Sequence, residues 1–370
     1  MSKVTLLLSD GTSFEGTSFG YEQPVSGEVV FNTAMVGYPE SLTDPSYAGQ
    51  IMVLTFPLVG NYGVPDCSLS SDGIALFMES ERVHAAALIV SEYSEQFSHW
   101  NAHCSLGEWL RKEHIPAVTG IDTRALTLYL REHGVMMGQL IFDEQSTTSN
   151  MQSYEDIHFV SRVSCQQVIR YHEGAGPKVV LLDCGVKHNI LRCLLDRGVE
   201  LIRVPWDYDF NTLDFDGLFL SNGPGDPNQC DIAVRHLHTF LDTESRKPLE
   251  RIRPIMGICL GHQLLGKAVG ANIYKLKYGH RSANQPVRME GTEHCFVTSQ
   301  NHGYALSIDT LPTDWKPMFT NMNDASNEGI RHRTFPWFSV QFHPEACAGP
   351  NDTEFLFDDF IRLIKQYVLR

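Results

Sequence analysis

The segment 255–266 constrains the fold of this chain more than any other stretch. An apolar run at 255–258 has the length of a buried strand, and apolar residues then recur at helical spacing. Cys259 therefore lies where a strand passes into a helix, with Gly257 and Gly261 two residues to either side, the GxCxG counterpart of a GxSxG nucleophile turn. The helix dipole at such a position favours the thiolate. The segment predicts a nucleophile elbow.

Two other interpretations of the segment stay open from its residues alone. One is a buried structural cysteine, because most free cysteines pack as small apolar side chains. The other is a phosphate-binding loop, because the run from Gly261 through Gly266-Lys267-Ala268 nearly matches the sequence motif of such loops. That loop is disfavoured because Ala268 lacks the hydroxyl that would hold Mg²⁺, and because the residues between the glycines fit a helix interior.

A histidine late in the chain is the candidate general base. The apolar run 337–342 predicts a strand that ends in His343-Pro-Glu345. Glu345 is placed to orient the imidazole and to stabilise its charge, as the third member of a catalytic triad does. The competing base is His262, but it shares the short helix of Cys259, and its ring is expected to turn into the fold.

A loop of alternating glycine and proline, 222–227, follows another predicted strand. Proline restricts some of its φ angles and glycine frees others, so that a backbone amide is held in one direction. Many tight turns have this composition. In a site for acyl transfer, however, the loop would form an oxyanion hole whose donors are the amides of Gly223 and of Leu260, the residue after the nucleophile.

The pattern of elements divides the chain into two domains. Residues 1–150 contain short β-type runs broken by turns, which predicts a smaller α+β domain in which 37–47 is a surface loop. Residues 151–177 are polar and are interpreted as a linker. From 178 to 370 strands alternate with helices, which predicts an α/β domain with a doubly wound, mostly parallel sheet. The elbow and the loop 222–227 both fall at strand ends, where such sheets bind ligands.

The charge and cysteine content exclude several classes of function. With 29 basic against 44 acidic residues the formal charge is −15, which disfavours nucleic acid and anionic membranes as partners. There is no apolar stretch of about 18 residues to span a bilayer. Nine cysteines in no paired spacing predict neither a disulfide framework nor a zinc site, and reduced thiols indicate a cytoplasmic protein.

With these motifs in this order, the C-terminal half resembles the class I glutamine amidotransferases. The N-terminal half is similar to the domain found in the small, glutaminase part of carbamoyl-phosphate synthetase. The motifs that carry this second resemblance are Gly27-Glu-Val-Val-Phe-Asn-Thr33, Gly37-Tyr-Pro-Glu40, Leu42-Thr-Asp-Pro-Ser-Tyr47, Gly60-Asn-Tyr-Gly63 and Gly120-Ile-Asp-Thr-Arg124. The resemblance covers nearly the whole chain.

The resemblance implies a role for each matching position. Cys259 is expected to be the nucleophile, His343 the base and then the acid, and Glu345 the residue that orients it, with the oxyanion held at Gly223 and Leu260. The residues expected to bind the substrate, L-glutamine, are Ser46, Gly223, Gly225, Leu260, Gln263, Asn301, Gly303 and Tyr304.

The expected activity is hydrolysis of glutamine and delivery of ammonia to a synthetase component that makes carbamoyl phosphate from bicarbonate and ATP. That partner is expected as a separate large subunit or as a fused C-terminal region, and ATP and Mg²⁺ are expected there. This chain is expected to carry no cofactor and no metal. The alternatives are the glutaminase of another amidotransferase complex, a γ-glutamyl or peptide hydrolase with the same triad, and a non-catalytic, glutaminase-like regulatory scaffold.

Overall fold

The computed structural model describes residues 2–142 and 153–368, in two compact units, Met1–Ile157 and His158–Arg370. Residues 158–177, which the sequence analysis assigned to a linker, lie in the second unit. The reason is that Val160 is buried in the core of that unit and the strand Ile169–Tyr171 pairs with its sheet. Of the remaining linker positions, 153–157 lie in the first unit, and 151 and 152 lie outside the described residues.

The first unit is built around a barrel. Its strands are β1 (Lys3–Leu8), β2 (Ser13–Ser18), β3 (Val25–Asn32), β4 (Gln50–Leu54), β5 (Leu58–Val59), β6 (Ala87–Ile89), β7 (Glu92–Tyr93), β8 (Ala117–Thr119) and β9 (Met136–Ile141), and its helices are α1 (Tyr38–Thr43), α2 (Leu106–Lys112) and α3 (Thr123–His133). The barrel closes in the order β1-β2-β8-β6-β4-β3-β9, with β5 and β7 paired separately. Strands and helices in one unit confirm the α+β class.

The prediction of a surface loop at 37–47 is wrong. Helix α1 and a 3-10 turn at Pro45–Tyr47 occupy this segment, and Tyr38, Leu42 and Tyr47 are buried in the unit's core. Glycine, proline and serine suggested a loop, but the apolar residues among them recur at helical spacing and pack inward. Ser46 is buried in the 3-10 turn.

The second unit is a single large sheet covered by helices. Its strands are β10 (Ile169–Tyr171), β11 (Lys178–Asp183), β12 (Glu200–Pro205), β13 (Gly217–Leu220), β14 (Ile255–Ile258), β15 (Ile273–Met289), β16 (Cys295–Leu306), β17 (Trp315–Asn321), β18 (Asn327–His332) and β19 (Trp337–Val340). The helices are α4 (Val160–Val163), α5 (His188–Leu195), α6 (Asp231–Ser245), α7 (Leu260–Ala268) and α8 (Phe355–Tyr367). The sheet order is β10-β12-β11-β13-β14-β19-β18-β17-β15-β16.

The parallel part of this sheet positions the candidate site. Strands β12, β11, β13, β14 and β19 run parallel, so their carboxyl ends meet at one edge. Side chains alternate between the faces of β13: Leu218 and Leu220 join the core shared with α6 and α7, whereas Phe219 stacks on Phe357 of α8 at 5.8 Å. Helices therefore cover both faces, which confirms the doubly wound α/β class.

An antiparallel extension follows the parallel strands, through β18, β17, β15 and β16. Residues 300–304, a polar run in the sequence, lie within β16. Within this run the side chain of His302 contacts His280 of β15 and lies 3.9 Å from Glu328 of β18. No helix in residues 2–142 and 153–368 is both long and apolar enough to cross a membrane.

Candidate active site

Cys259 lies on the sharp turn between β14 and α7. Its backbone is left-handed, with φ 52° and ψ −104°, a conformation that costs a non-glycine residue of the order of 1–3 kcal/mol and that clusters at functional sites. Gly261 is required beside it, since a Cβ atom there would lie 2.3 Å from the carbonyl oxygen of Leu220. The side chain is buried, and its thiol lies 3.6 Å from the carbonyl oxygen of Asn301. The local sequence thus builds the expected elbow.

His343 and Glu345 follow β19, the strand beside β14. The Nδ1 atom of His343 is 2.7 Å from Oε1 of Glu345, and both side chains are buried. Nε2 is buried without a hydrogen-bond partner in the described part of the chain, and Cys259 interacts with this imidazole. Burial alone would lower the pKa of His343, but the Glu345 carboxylate and the Cys259 side chain raise it to about 10. The histidine is therefore held protonated beside the sulfur at neutral pH.

Lys187 is a buried cation in the site that the sequence analysis missed. Its Nζ atom lies 3.1 Å from Oε1 of Glu345 and 2.6 Å from the carbonyl oxygen of Ala346. Although burial opposes ionisation, Lys187 and His343 lower the pKa of Glu345 to about 2, so that the carboxylate stays charged. Lys187 lies between β11 and α5, and its position at the carboxyl end of a parallel strand was the available signal.

We expect Lys187→Met to lower the free energy of unfolding by about 3–5 kcal/mol, because it leaves the charge of Glu345 buried beside one cation instead of two. Urea denaturation at neutral pH measures this loss. Lys178→Met is the matched control: Lys178 pairs with the exposed Asp214 at 3.4 Å, and such pairs contribute about 0–1 kcal/mol. Equal stability of the two variants would contradict the role assigned to Lys187.

Gly223 and Leu260 lie next to each other at the ends of β13 and β14. A Cβ atom on Gly223 would lie 2.9 Å from the side chain of Leu260, and 2.1 Å from the carbonyl oxygen of Cys184. Leu260 is the first residue of α7, and the first amides of a helix have no partner within it. A hydrogen bond fixes the side chain of Asn222, whose Oδ1 accepts from the backbone N–H of Lys187 at 3.1 Å. This arrangement suits a pair of fixed oxyanion donors.

We expect Gly223→Ala to lower kcat for glutamine hydrolysis by about 10²–10³-fold, the loss typical of one oxyanion donor. The new methyl group meets a backbone carbonyl that cannot swing aside, so the loop must move. Steady-state kinetics measure the effect. Gly73→Ala is the control, since a Cβ atom at Gly73 has open space around it even though the backbone there is left-handed, with φ 74°. Wild-type kcat in both variants would exclude Gly223 as a donor.

The remaining expected substrate residues fall in two places. In the second unit the amide nitrogen of Gln263 donates to the carbonyl oxygen of Tyr304 at 3.1 Å and to Oε1 of Gln341 at 3.0 Å. Asn301 and Gly303 lie on β16 beside that contact, and Gly225 lies in the loop after β13 with φ 85°. Ser46 lies in the first unit, where its backbone amide donates to Oδ1 of Asp44 at 2.9 Å. A glutamine-binding role for these residues stays a prediction.

Two competing interpretations of the elbow do not fit the structure. His262 is fully buried, its Nδ1 atom lies 2.9 Å from Oγ of Ser339, and burial lowers its pKa to about 3. Because the His262 ring is hydrogen-bonded to Ser339 and has a lowered pKa, it is a poor base for the Cys259 thiol. The residues of the near phosphate-binding motif form helix α7 from Leu260 to Ala268, so they offer no loop of free amides.

Comparison with known proteins gives two family matches. Residues 180–363 match the model described as glutamine amidotransferase class-I, and residues 6–140 match carbamoyl-phosphate synthase small chain, CPSase domain. The carbamoyl phosphate synthase arginine-specific small chain of Aspergillus clavatus is 47% identical over 99% of this chain and 80% of its own length.

Two relatives are much longer than this chain. The multifunctional protein CAD of Squalus acanthias is 50% identical over 99% of this chain, and the multifunctional protein URA2 of Saccharomyces cerevisiae is 47% identical over 98% of it. The chain spans 16% and 18% of the length of these two proteins, respectively. Its similarity therefore extends both to free small chains and to a part of large multifunctional proteins.

Proposed function

This chain belongs to the carbamoyl-phosphate synthase small-chain family and carries a class I glutamine amidotransferase domain, and we propose that it hydrolyses L-glutamine to glutamate and ammonia. The observation that carries the proposal is the coupling of Cys259, on a strained turn, to an imidazole whose other nitrogen lies 2.7 Å from Glu345. A nucleophile, a base and an orienting acid are the parts that this chemistry needs.

The first half of the reaction forms a thioester. The Cys259 thiolate attacks the side-chain amide carbon of glutamine, and the amides of Gly223 and Leu260 receive the oxyanion. Collapse of this intermediate breaks the C–N bond, and the departing nitrogen takes the proton from Nε2 of His343 to leave as ammonia. The raised pKa of His343 supports this step, because the imidazole stays protonated until it transfers the proton to the leaving nitrogen.

The second half of the reaction hydrolyses the thioester. His343, now neutral, removes a proton from water, which attacks the γ-glutamyl carbon, and the same two amides hold the second oxyanion. Collapse releases glutamate and returns the thiolate beside the imidazolium. Glu345 and Lys187 keep their charges throughout, so the surroundings need little rearrangement between the two half-reactions.

The ammonia is delivered to a synthetase component that makes carbamoyl phosphate from bicarbonate and ATP, with the ATP and Mg²⁺ bound in that component. The match of residues 6–140 supports this proposal over a glutaminase of another complex. The relatives support both arrangements of the partner, as a separate subunit or as a continuous polypeptide. We further propose a cytoplasmic location, for which the nine free cysteines are the support.

Purification from the native source, followed by assay with free glutamine, tests the proposal. We expect glutamate and ammonia in equal amounts, and a large ATP-using polypeptide that co-purifies with the chain or is continuous with it. Activity on γ-glutamyl peptides but not on free glutamine would replace the proposal with a peptide hydrolase. No hydrolysis by the purified complex would favour a regulatory scaffold.

A further inference from the structure

Three buried side chains from separate strands converge beside the active site. They are His280 on β15, His302 on β16 and Glu328 on β18, exposed by 8%, 4% and 0%. Oε1 of Glu328 lies 3.5 Å from Nδ1 of His280 and 3.9 Å from Nε2 of His302, and all three atoms lie within 4.8 Å of one another. In the described ranges this is the one group of three such side chains with metal-ligand spacing.

Two of the three separations are close to those of a tetrahedral metal ion. Zinc binds histidine nitrogen at about 2.0–2.1 Å and carboxylate oxygen at about 2.0–2.2 Å, which places neighbouring ligand atoms roughly 3.3–3.6 Å apart. The distance between His280 and Glu328 is already in that range, and the distance between His302 and Glu328 exceeds it by a few tenths of an ångström. The two histidine nitrogens lie within 4.8 Å of each other, so the side chains must move closer together to complete the geometry.

Both histidines have the outer contacts that metal-binding histidines use. Nε2 of His280 lies 2.9 Å from Oδ2 of Asp324, and Nδ1 of His302 lies 2.8 Å from the carbonyl oxygen of Tyr304. A ligating histidine donates its second N–H to such an acceptor, which sets the tautomer and turns the other nitrogen toward the metal. The two nitrogens that remain, Nδ1 of His280 and Nε2 of His302, are the ones that face Glu328.

The surroundings of His302 contain a surplus of hydrogen-bond acceptors. Its Nε2 atom also lies 3.2 Å from Oε1 of Gln300. The orientation of that amide is set, because its nitrogen donates to Thr298 Oγ1, whose hydroxyl donates to the carbonyl oxygen of Gln285. Because Nδ1 of His302 donates its proton to Tyr304, the lone pair of Nε2 faces the side-chain oxygen of Gln300, and a metal ion bound by both atoms would remove this contact between two acceptors.

We propose that His280, His302 and Glu328 bind a structural Zn²⁺ ion, with the side-chain oxygen of Gln300 as the fourth ligand. Imidazole ligands with carboxylate favour zinc over Mg²⁺ or Ca²⁺. The two negative charges of Glu328 and the adjacent Asp324 together offset the two positive charges of the Zn²⁺ ion. Oε2 of Glu328, buried and without a hydrogen-bond partner in the described residues, lies on the same carboxylate and gains the ion as a neighbour.

The ion would join three strands of the antiparallel extension next to the catalytic residues. His302 lies between Asn301 and Gly303, and the carbonyl oxygen of Glu328 accepts a hydrogen bond from the backbone N–H of Gln341 at 2.9 Å. Strand β15 has register shifts on both sides of His280, and such irregularities are frequent near functional sites. The side chain of Asp324 is 41% exposed, which marks the side from which an ion enters.

Metal analysis of the purified full chain, after exposure to Zn²⁺ and exhaustive dialysis, tests the proposal without any assay of activity. We expect about one zinc per chain in the wild type and less than about a tenth of that in Glu328→Gln. Asp324→Asn should still bind zinc, with an affinity lower by about 10–100-fold, the usual effect of losing an outer-shell partner. Cobalt substitution should give the visible bands of tetrahedral Co²⁺.

His332→Asn is the matched control, because His332 also pairs with a carboxylate, Asp314 at 3.3 Å, but has no third ligand in the described part of the molecule. This variant should keep its zinc. A wild type that retains no zinc and shows no cobalt bands would overturn the proposal, and His280 would then be a protonated partner of Asp324 and Glu328. Zinc retained in full by Glu328→Gln would also overturn it. If Glu328→Gln does not fold, the wild type and Asp324→Asn decide the question.

Discussion

Cys259→Ser is expected to lower the rate of glutamine hydrolysis by about 10⁴-fold or more, as the loss of a nucleophile does in other triad enzymes. Serine keeps the shape of the side chain and its place on the strained turn, but a hydroxyl oxygen is a weaker nucleophile than a cysteine sulfur. Glutamate release measures the activity. Mass spectrometry of denatured wild-type enzyme, quenched during turnover, should show a γ-glutamyl group on Cys259 that the variant lacks.

Cys295→Ser is the control for this result, because Cys295 is an exposed cysteine in the same unit. It should leave both the rate and the acyl-enzyme unchanged. Substantial glutamate release by Cys259→Ser would show that another group is the nucleophile. Substrate binding can be followed separately by calorimetry, and the serine variant should still bind glutamine.

The second large effect is expected for Glu345→Gln, with a loss of about 10²–10⁴-fold in kcat. The amide leaves the geometry nearly intact, but it removes the charge that orients His343 and raises its pKa, and in other triads the corresponding loss reaches about 10⁴-fold. Lys187 also loses its buried counter-charge, so the free energy of unfolding should fall by about 3–5 kcal/mol. Kinetics and denaturation on the same sample measure both effects.

The stability cost of Glu345→Gln is expected to depend on pH. The folded pKa of His343 is raised to about 10, so its stabilising contribution is complete below about 6.5 and is lost as the pH rises through 10. The folded pKa of Glu345 is depressed to about 2, so its contribution is present above about 4.5 and is lost as the pH falls through 2. The difference between wild type and variant should therefore be largest near pH 5–6.5 and smaller at pH 9.5.

Glu354→Gln is the matched control for this pH dependence. Glu354 pairs with Arg197 at 3.1 Å, but its side chain is 41% exposed, so its loss should cost no more than about 1 kcal/mol at any of these pH values. A difference between wild type and Glu345→Gln that did not change from pH 6 to pH 9.5 would contradict the assigned protonation of His343.

The arrangement of the candidate catalytic triad was predictable because its signals are local. A buried strand, a glycine on either side of Cys259 and a helix after it define the elbow within a dozen residues. His343 and Glu345 are two residues apart after a strand, so one short segment specifies their contact. The partner strands β14 and β19 lie side by side in parallel, and the general rule for strand ends in such sheets predicted where the segments meet.

Local composition failed where packing decided the outcome. The segment 37–47 has the glycine, proline and serine of a loop, yet it is a buried helix and turn because its apolar residues reach the core of the first unit. Residues 300–304 are polar, yet they continue β16 because β15 supplies the backbone partners. Composition describes the preferences of a segment, whereas burial depends on what lies opposite it.

The amino-acid sequence alone predicted the α/β class of the second unit, the elbow, and the residues proposed as the triad and the oxyanion donors, because each depends on residues that are near neighbours along the chain or on a general rule of parallel sheets. Only the tertiary structure decided that Lys187 lies against Glu345 and that His280, His302 and Glu328 meet. These contacts join residues 158, 22 and 26 positions apart, which lie on or just after strands whose order in the sheet no local pattern encodes.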